Sequence, residues 1–279
     1  MTPPRVTASK KDEVIQLRVE KSFLDQLNAT AEKKQIPLSG MIRVWLAEKL
    51  KEQDSLENAK RDKWRYERLS QISNNSQFED GPLLVVHAFP VDAKIRLDLE
   101  KIRQFPYSLA PMYDRTPMES RIIQHGLEVK RAWDDKKIRE QGLAYKNGYT
   151  ETVISLPCEK PKLFVDHVDS AIVIAVKSLC SMLQSNGLAV PYVVYIYLLK
   201  AKDYQAWESK TIASSAPPRL FIDDLIELPE IVFSDAEQFV TEANTGDFLI
   251  EQIDEIWHAA GLPCSKSFDH DRKWVRKRG

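Results

Sequence analysis

Cysteine is scarce in this 279-residue chain: Cys158, Cys180 and Cys264 are the only three, far apart and with no CxxC pair. An odd, dispersed set excludes a disulfide framework and gives a structural zinc site no ligand spacing to start from. Glycine is also thin, at nine residues, and none falls into a G-x-G-x-x-G, Walker or G-x-S-x-G pattern. Dinucleotide-binding, P-loop and α/β-hydrolase chemistry therefore have no anchor. The five histidines, His87, His125, His167, His258 and His270, show no HExxH or paired spacing. Long apolar runs are missing too. The most apolar stretch, Val190 to Leu199, is too short to cross a bilayer, and the opening MTPPRVTASKKDE has no apolar signal region. Neither sign of charge dominates, the net charge being -1. These absences set the expectation of a cytoplasmic protein that is not an enzyme, carries no cofactor or metal, and does not engage a membrane.

What is present is ample core material, with 43% hydrophobic and 9% aromatic residues, in a chain long enough for a small and a large domain. The charge is distributed unevenly. From Met1 to Gln53 ten basic residues stand against seven acidic ones, or +3, which leaves -4 for the other 226 residues. The first 13 residues read as a polar arm. VIQLRV, Val14 to Val19, alternates as a strand with Ile15, Leu17 and Val19 on one face and Val14, Gln16 and Arg18 on the other. Two amphipathic helices follow, over about Ser22 to Lys34 (Phe23, Leu24, Leu27, Ala31) and about Pro37 to Glu52 (Leu38, Met41, Ile42, Trp45, Leu46, Leu50). One strand has no partner for its backbone and two helices cannot hide that much apolar surface, so pairing with a second copy is expected.

VIQLRVEKSFLDQLNATAEKKQIPLSGMIRVWLAEKL, taken together, resembles the ribbon-helix-helix family (Arc/MetJ/CopG-like). The resemblance implies an obligate dimer whose paired strands form an antiparallel ribbon in the DNA major groove. On that basis Val14, Gln16 and Arg18 would face base edges, where Gln suits adenine and Arg suits guanine. The backbone N–H groups of Leu38, Ser39 and Gly40 would hold a phosphate. Ile15, Leu17, Val19, Ile42, Trp45 and Leu46 would form the dimer core. The chain departs from the family in having Pro37 where many members carry a Ser or Thr helix cap.

The expected organisation is an arm over 1–13, the ribbon-helix-helix domain over 14–53, a helical linker and loop over 54–80 with NNSQFEDGP opening the next domain, and a larger α+β domain over 81–279. In the last of these LLVVHAF reads as a buried strand, Asn147-Gly148 as a hairpin turn, about Phe164 to Gln184 as a long helix, PYVVYIYLLK as a strand and about Phe248 to Ala260 as the final helix. GPLLVVHAFP, RIIQHGLEVKRAW, LAYKNGYTETV, VPYVVYIYLLKAKDY and IDEIWHAAGLPCSKSFDHDRKWV resemble, in that order, the C-terminal region that follows the AlbA-type, Schlafen-like DNA-binding domain in bacterial proteins. That resemblance implies an architecture and no chemistry. Asp269, His270 and Asp271 have the groups for a metal or a base, although a solvated turn is the plainer account. His87, inside an apolar strand, reads as a satisfied core histidine. Trp274 sits within a basic tail, Lys273, Arg276, Lys277 and Arg278, which would add phosphate affinity or simply be solvated. Two functions fit. The first is a homodimeric, sequence-specific DNA-binding protein, a transcriptional repressor whose larger domain senses a signal or contacts a partner. The second is an interaction or effector subunit of a defence-type or mobile-element assembly, in which the N-terminal module only dimerises.

Overall fold

The computed structural model describes residues 20–34, 37–91, 96–112, 117–132, 137–208 and 219–275. The strand expected over Val14 to Val19 lies outside them. The chain is mixed α+β and divides into two compact units, Met1–Glu67 and Arg68–Gly279.

In the first unit, α1 spans Lys21–Lys34 and α2 begins at Leu38. The sequence suggests that α2 stops near Glu52 and that a separate linker helix follows. Instead α2 is a single helix, Leu38–Ser73, of 36 residues. The reason is chemical: no glycine or proline interrupts Met41 to Ser73, and side chains three or four apart pair along it, as Lys49 does with Glu52 and Lys60 with Glu57. The boundary between the units therefore falls inside this helix rather than in the polar loop at 74–80. That loop is tied to the second unit. Phe78 is buried, Ile138 donates its N–H to Gln77 and Glu79 donates to Ile138, while Leu69 and Ile72 at the end of α2 are buried as well.

The second unit is built on an antiparallel sheet. Its strands are β1 (Leu83–Pro90), β2 (Met118–Ile123), β3 (Gly126–Ala132), β4 (Ile138–Tyr145), β5 (Thr150–Ser155), β8 (Tyr192–Leu199), β10 (Leu225–Glu227) and β11 (Ile231–Phe233). The order is β10-β8-β1-β5-β4-β3-β2, with β11 also on β8. β1 and β8 are buried at every position, which explains why both are continuous apolar runs without alternation. β4 and β5 form the expected hairpin. Gly148, at φ 88°, closes a turn in which its N–H donates to Tyr145, the glycine supplying a left-handed residue that a side chain would resist.

One face of the sheet packs against α4, Val165–Ser185, whose apolar stripe is the one expected: Val168, Ile172, Ala175, Val176, Leu179 and Leu183 are all buried. Their core partners include Leu84, Val86, Val194, Ile196 and Ile154. Among the described residues α4 is the one helix long and apolar enough to cross a membrane, but most of it is buried within the fold, as befits a core helix. A short α3 (Leu99–Gln104) carries Leu99 and Ile102 into the same core, and Asp98 caps it. A small sheet of β6 (Cys158–Glu159), β7 (Lys162–Phe164) and β9 (Gln205–Trp207) stands beside the large one in sequence and is separate from it in pairing. Two final helices, α5 (Glu242–Phe248) and α6 (Ile250–Ala259), close the core with Leu249, Ile253, Ile256 and Trp257. Residues 260–275 after α6 dock against the fold through Trp274. Trp274 is buried, its ring is 5.4 Å from that of Phe268, and its backbone N–H donates to Asp247 at 2.7 Å. It fits because position 246 is glycine: a Cβ there would stand 2.4 Å from the indole.

Candidate functional site

The helix pair of the first unit is where the expected DNA-binding and dimer-core residues fall. Val14, Gln16 and Arg18, and with them Ile15, Leu17 and Val19, lie outside the described residues. Leu38, Ser39 and Gly40 form the first turn of α2, with Ser39 exposed and no acidic side chain in that turn to occupy the positive helix end. Pro37 stands one residue before the helix, which begins at Leu38 and not at Pro37 as the sequence suggests.

The pair does not bury its own apolar stripe. Ala31 is buried, but Leu24, Leu27, Leu38, Ile42 and Leu46 are only half-buried, and Phe23, Trp45 and Val44 are 38%, 41% and 56% exposed. Phe23 and Trp45 pack on each other with ring centroids 6.2 Å apart, so the open surface is a cluster rather than scattered single residues. If Trp45 lies in a dimer core, Trp45→Asp buries a charge there and is expected to cost several kcal/mol, roughly the penalty of an unpaired interior ion. Light scattering checks this: the variant should be monomeric, and an intact dimer would reject the placement.

The second unit holds two buried polar clusters. On the sheet face opposite α4, Glu151 on β5 lies directly across from His87 on β1. His87 Nε2 is 3.0 Å from Glu151 Oε2, and Arg68, from the last turns of α2, grips the carboxylate through Nη2 at 2.6 Å and Nε at 3.1 Å. His87 and Glu151 have no exposed surface. Burial alone would raise the Glu151 carboxyl, but the hydrogen bond from His87 and the charge and hydrogen bonds of Arg68 outweigh it and hold the pKa at about 2. His87 is thus a core histidine, as its place in an apolar strand suggests, with its Nε2 paired to Glu151. His87 and Glu151 are closed to solvent and Arg68 is largely buried, so the cluster ties the last turns of α2, from Arg68 on, to the sheet.

The second cluster has no counterpart in the sequence reading. Asp169, fully buried on α4, accepts hydrogen bonds from Trp257 Nε1 at 3.0 and 3.2 Å and from the hydroxyls of Ser265 at 2.6 Å and Ser267 at 2.7 Å. Burial pushes its carboxyl up to about 7, against the pull of these donors and with a further push from Asp166. A carboxylate beside the apolar stripe of a core helix was a readable signal, since a buried charge demands partners. What could not be read was which distant hydroxyls would supply them.

The remaining histidines do not converge. His270 is 88% exposed beside Asp271, and Asp269 caps its own turn by accepting from the N–H groups of Asp271 and Lys273. His258 donates to the Pro263 carbonyl at 2.8 Å, His167 packs against Phe164, and His125 is exposed. Among the described residues no three of His, Cys, Asp and Glu are grouped as metal ligands. Set against protein-family models, curated proteins and solved structures, the chain matches none.

Proposed function

We propose that this chain is a homodimeric, sequence-specific DNA-binding protein, a transcriptional repressor whose N-terminal ribbon-helix-helix module dimerises and reads double-stranded DNA, and whose α+β unit senses a signal or contacts a partner. The observation that supports it most is the open apolar cluster on α1 and α2. A helix pair that leaves Phe23, Val44 and Trp45 exposed and five further apolar side chains half-covered is half of a core, and a second copy supplies the other half at no cost in new sequence. The positive segment from Met1 to Gln53 and the unoccupied positive end of α2 agree with a phosphate backbone as the ligand.

The test is selection from random DNA duplexes with the wild type and with Gln16→Ala and Arg18→Ala combined. The double variant should remain dimeric, because the sequence alternation puts both residues on the face opposite Ile15, Leu17 and Val19, and substitutions away from a core move stability by less than about 0.5 kcal/mol. Its base discrimination should collapse, each lost bidentate contact being worth roughly 1 to 3 kcal/mol, while weak salt-sensitive binding persists. A wild type that enriches no sequence, or a double variant that enriches the same one equally well, overturns the reading head. A dimer that enriches nothing would instead be an assembly subunit whose N-terminal module only dimerises.

A further inference from the structure

At one end of the large sheet, three segments meet around a cleft of about 600 Å³ lined by Arg96, Gln124, His125, Tyr145, Lys146 and Asn147. Gln124 and His125 form the turn between β2 and β3, Lys146 and Asn147 belong to the hairpin between β4 and β5, and Arg96 leads into α3. Backbone hydrogen bonds stitch the three in series: Lys146 N–H donates to His125 at 3.1 Å, and Leu97 N–H donates to Lys146 at 3.0 Å. The backbone positions from which the two cations project are therefore set by main-chain hydrogen bonds.

The 226 residues after Gln53 carry -4, and several of the larger unit's arginines are matched with carboxylates: Arg68 with Glu151, Arg121 with Glu128, Arg131 with Glu140, Arg139 with Glu79. Among the described residues the cleft is lined by no carboxylate, and neither Arg96 nor Lys146 has an ion pair. Like charges held together without a counter-charge repel, and an anion entering between them relieves that repulsion. Arginine offers a planar fork and lysine a point charge, the pair suited to phosphate oxygens. The lining also includes the half-buried aromatic ring of Tyr145 and the amides of Gln124 and Asn147, the latter with Oδ1 already accepting from the Tyr149 N–H; rings and amides are the groups that stack on and hydrogen-bond a base. The volume is that of a small-molecule site, larger than a bare phosphate needs.

We infer that this cleft binds a nucleoside phosphate, with Arg96 and Lys146 on the phosphate and Tyr145 against the base. The phosphate can belong to a free nucleotide or to one nucleotide of a single strand, and the chemistry of recognition is the same. The inference stands apart from the DNA-reading head, because every residue in it lies in the larger unit.

The test uses the full chain and three probes: inorganic phosphate, adenosine 5′-monophosphate and a fluorescein-labelled short oligothymidylate. Saturable binding of one of the two nucleotide probes, one site per chain and weakening linearly in log–log plots against salt, is expected. Arg96→Ala combined with Lys146→Ala should weaken it by about tenfold or more without changing the melting temperature. Monophosphate binding that the oligonucleotide does not match marks a free nucleotide as the ligand; tighter oligonucleotide binding, displaced by the monophosphate, marks a strand. Absence of saturable binding at millimolar probe, binding of inorganic phosphate alone, or equal affinity in the double variant would each overturn the assignment. Loss of duplex selection in the Gln16 and Arg18 variant, with nucleotide binding intact, would bear on the reading head and leave the cleft untouched.

Discussion

Replacing Glu151 by alanine is expected to remove about 3 to 5 kcal/mol of stability, the usual cost of stripping one partner from a buried ion pair. The carboxylate serves two donors at once. Without it the Arg68 guanidinium keeps, among the described residues, only Gln71 as a side-chain acceptor, and the fully buried His87 loses the oxygen 3.0 Å from its Nε2. Against a typical total of about 5 to 15 kcal/mol, that loss should show as a large fall in the urea midpoint at pH 7. Glu151→Gln keeps the volume and an acceptor oxygen and gives up the charge, so its loss should be intermediate. An alanine variant within about 1 kcal/mol of wild type would mean that the cluster is not buried in solution.

The second large effect is on pH dependence, and the two buried carboxyls act in opposite directions. Glu151 has a folded pKa of about 2 against an ordinary 4.5. Its contribution, roughly 3 kcal/mol, is present above 4.5 and is lost as pH falls through that value toward 2. Asp169 is the reverse, about 7 in the fold against 3.8 in the open chain. Between those values the folded state holds a proton that the unfolded chain has released, so stability falls as pH rises from 3.8 to 7, by roughly 4 kcal/mol. Taken alone, these two contributions sum to a maximum on the acid side, at about pH 4 to 5. Chemical denaturation across pH 2 to 8 measures it. Asp169→Asn should flatten the limb above pH 4, and a variant with the same slope as wild type, or a wild type whose stability rises from pH 5 to 7, would reject the assignment.

Much of the fold was legible because it depends on local pattern. The continuous apolar runs of β1 and β8, the stripe from Val168 to Leu183 and the Asn147-Gly148 turn each state their element within a few residues. The uninterrupted α2 was legible too, since nothing between Met41 and Ser73 breaks a helix, and dividing it at Glu52 gave a change of composition more weight than it has. The sites are harder because they join distant segments. Arg68 finds Glu151 across 83 residues, and Arg96, His125 and Lys146 meet only once the strand ends are in place. Trp274 looked like part of a basic tail because its slot is defined by the absence of a side chain at Gly246, 28 positions earlier.

The Asp169 cluster also orders events in time. Its donors, Trp257, Ser265 and Ser267, follow it by 88, 96 and 98 residues. During translation α4 is therefore complete, apolar stripe and all, well before anything exists to satisfy the carboxylate beside that stripe. Until those residues are made, α4 has either to keep that carboxylate hydrated, and so stay off the sheet on that side, or to bury a proton with it. Closure of this core is a late, long-range step of the kind that slows folding. A chain released before residue 257 should lack every side-chain donor to that carboxylate and leave this side of α4 unfilled.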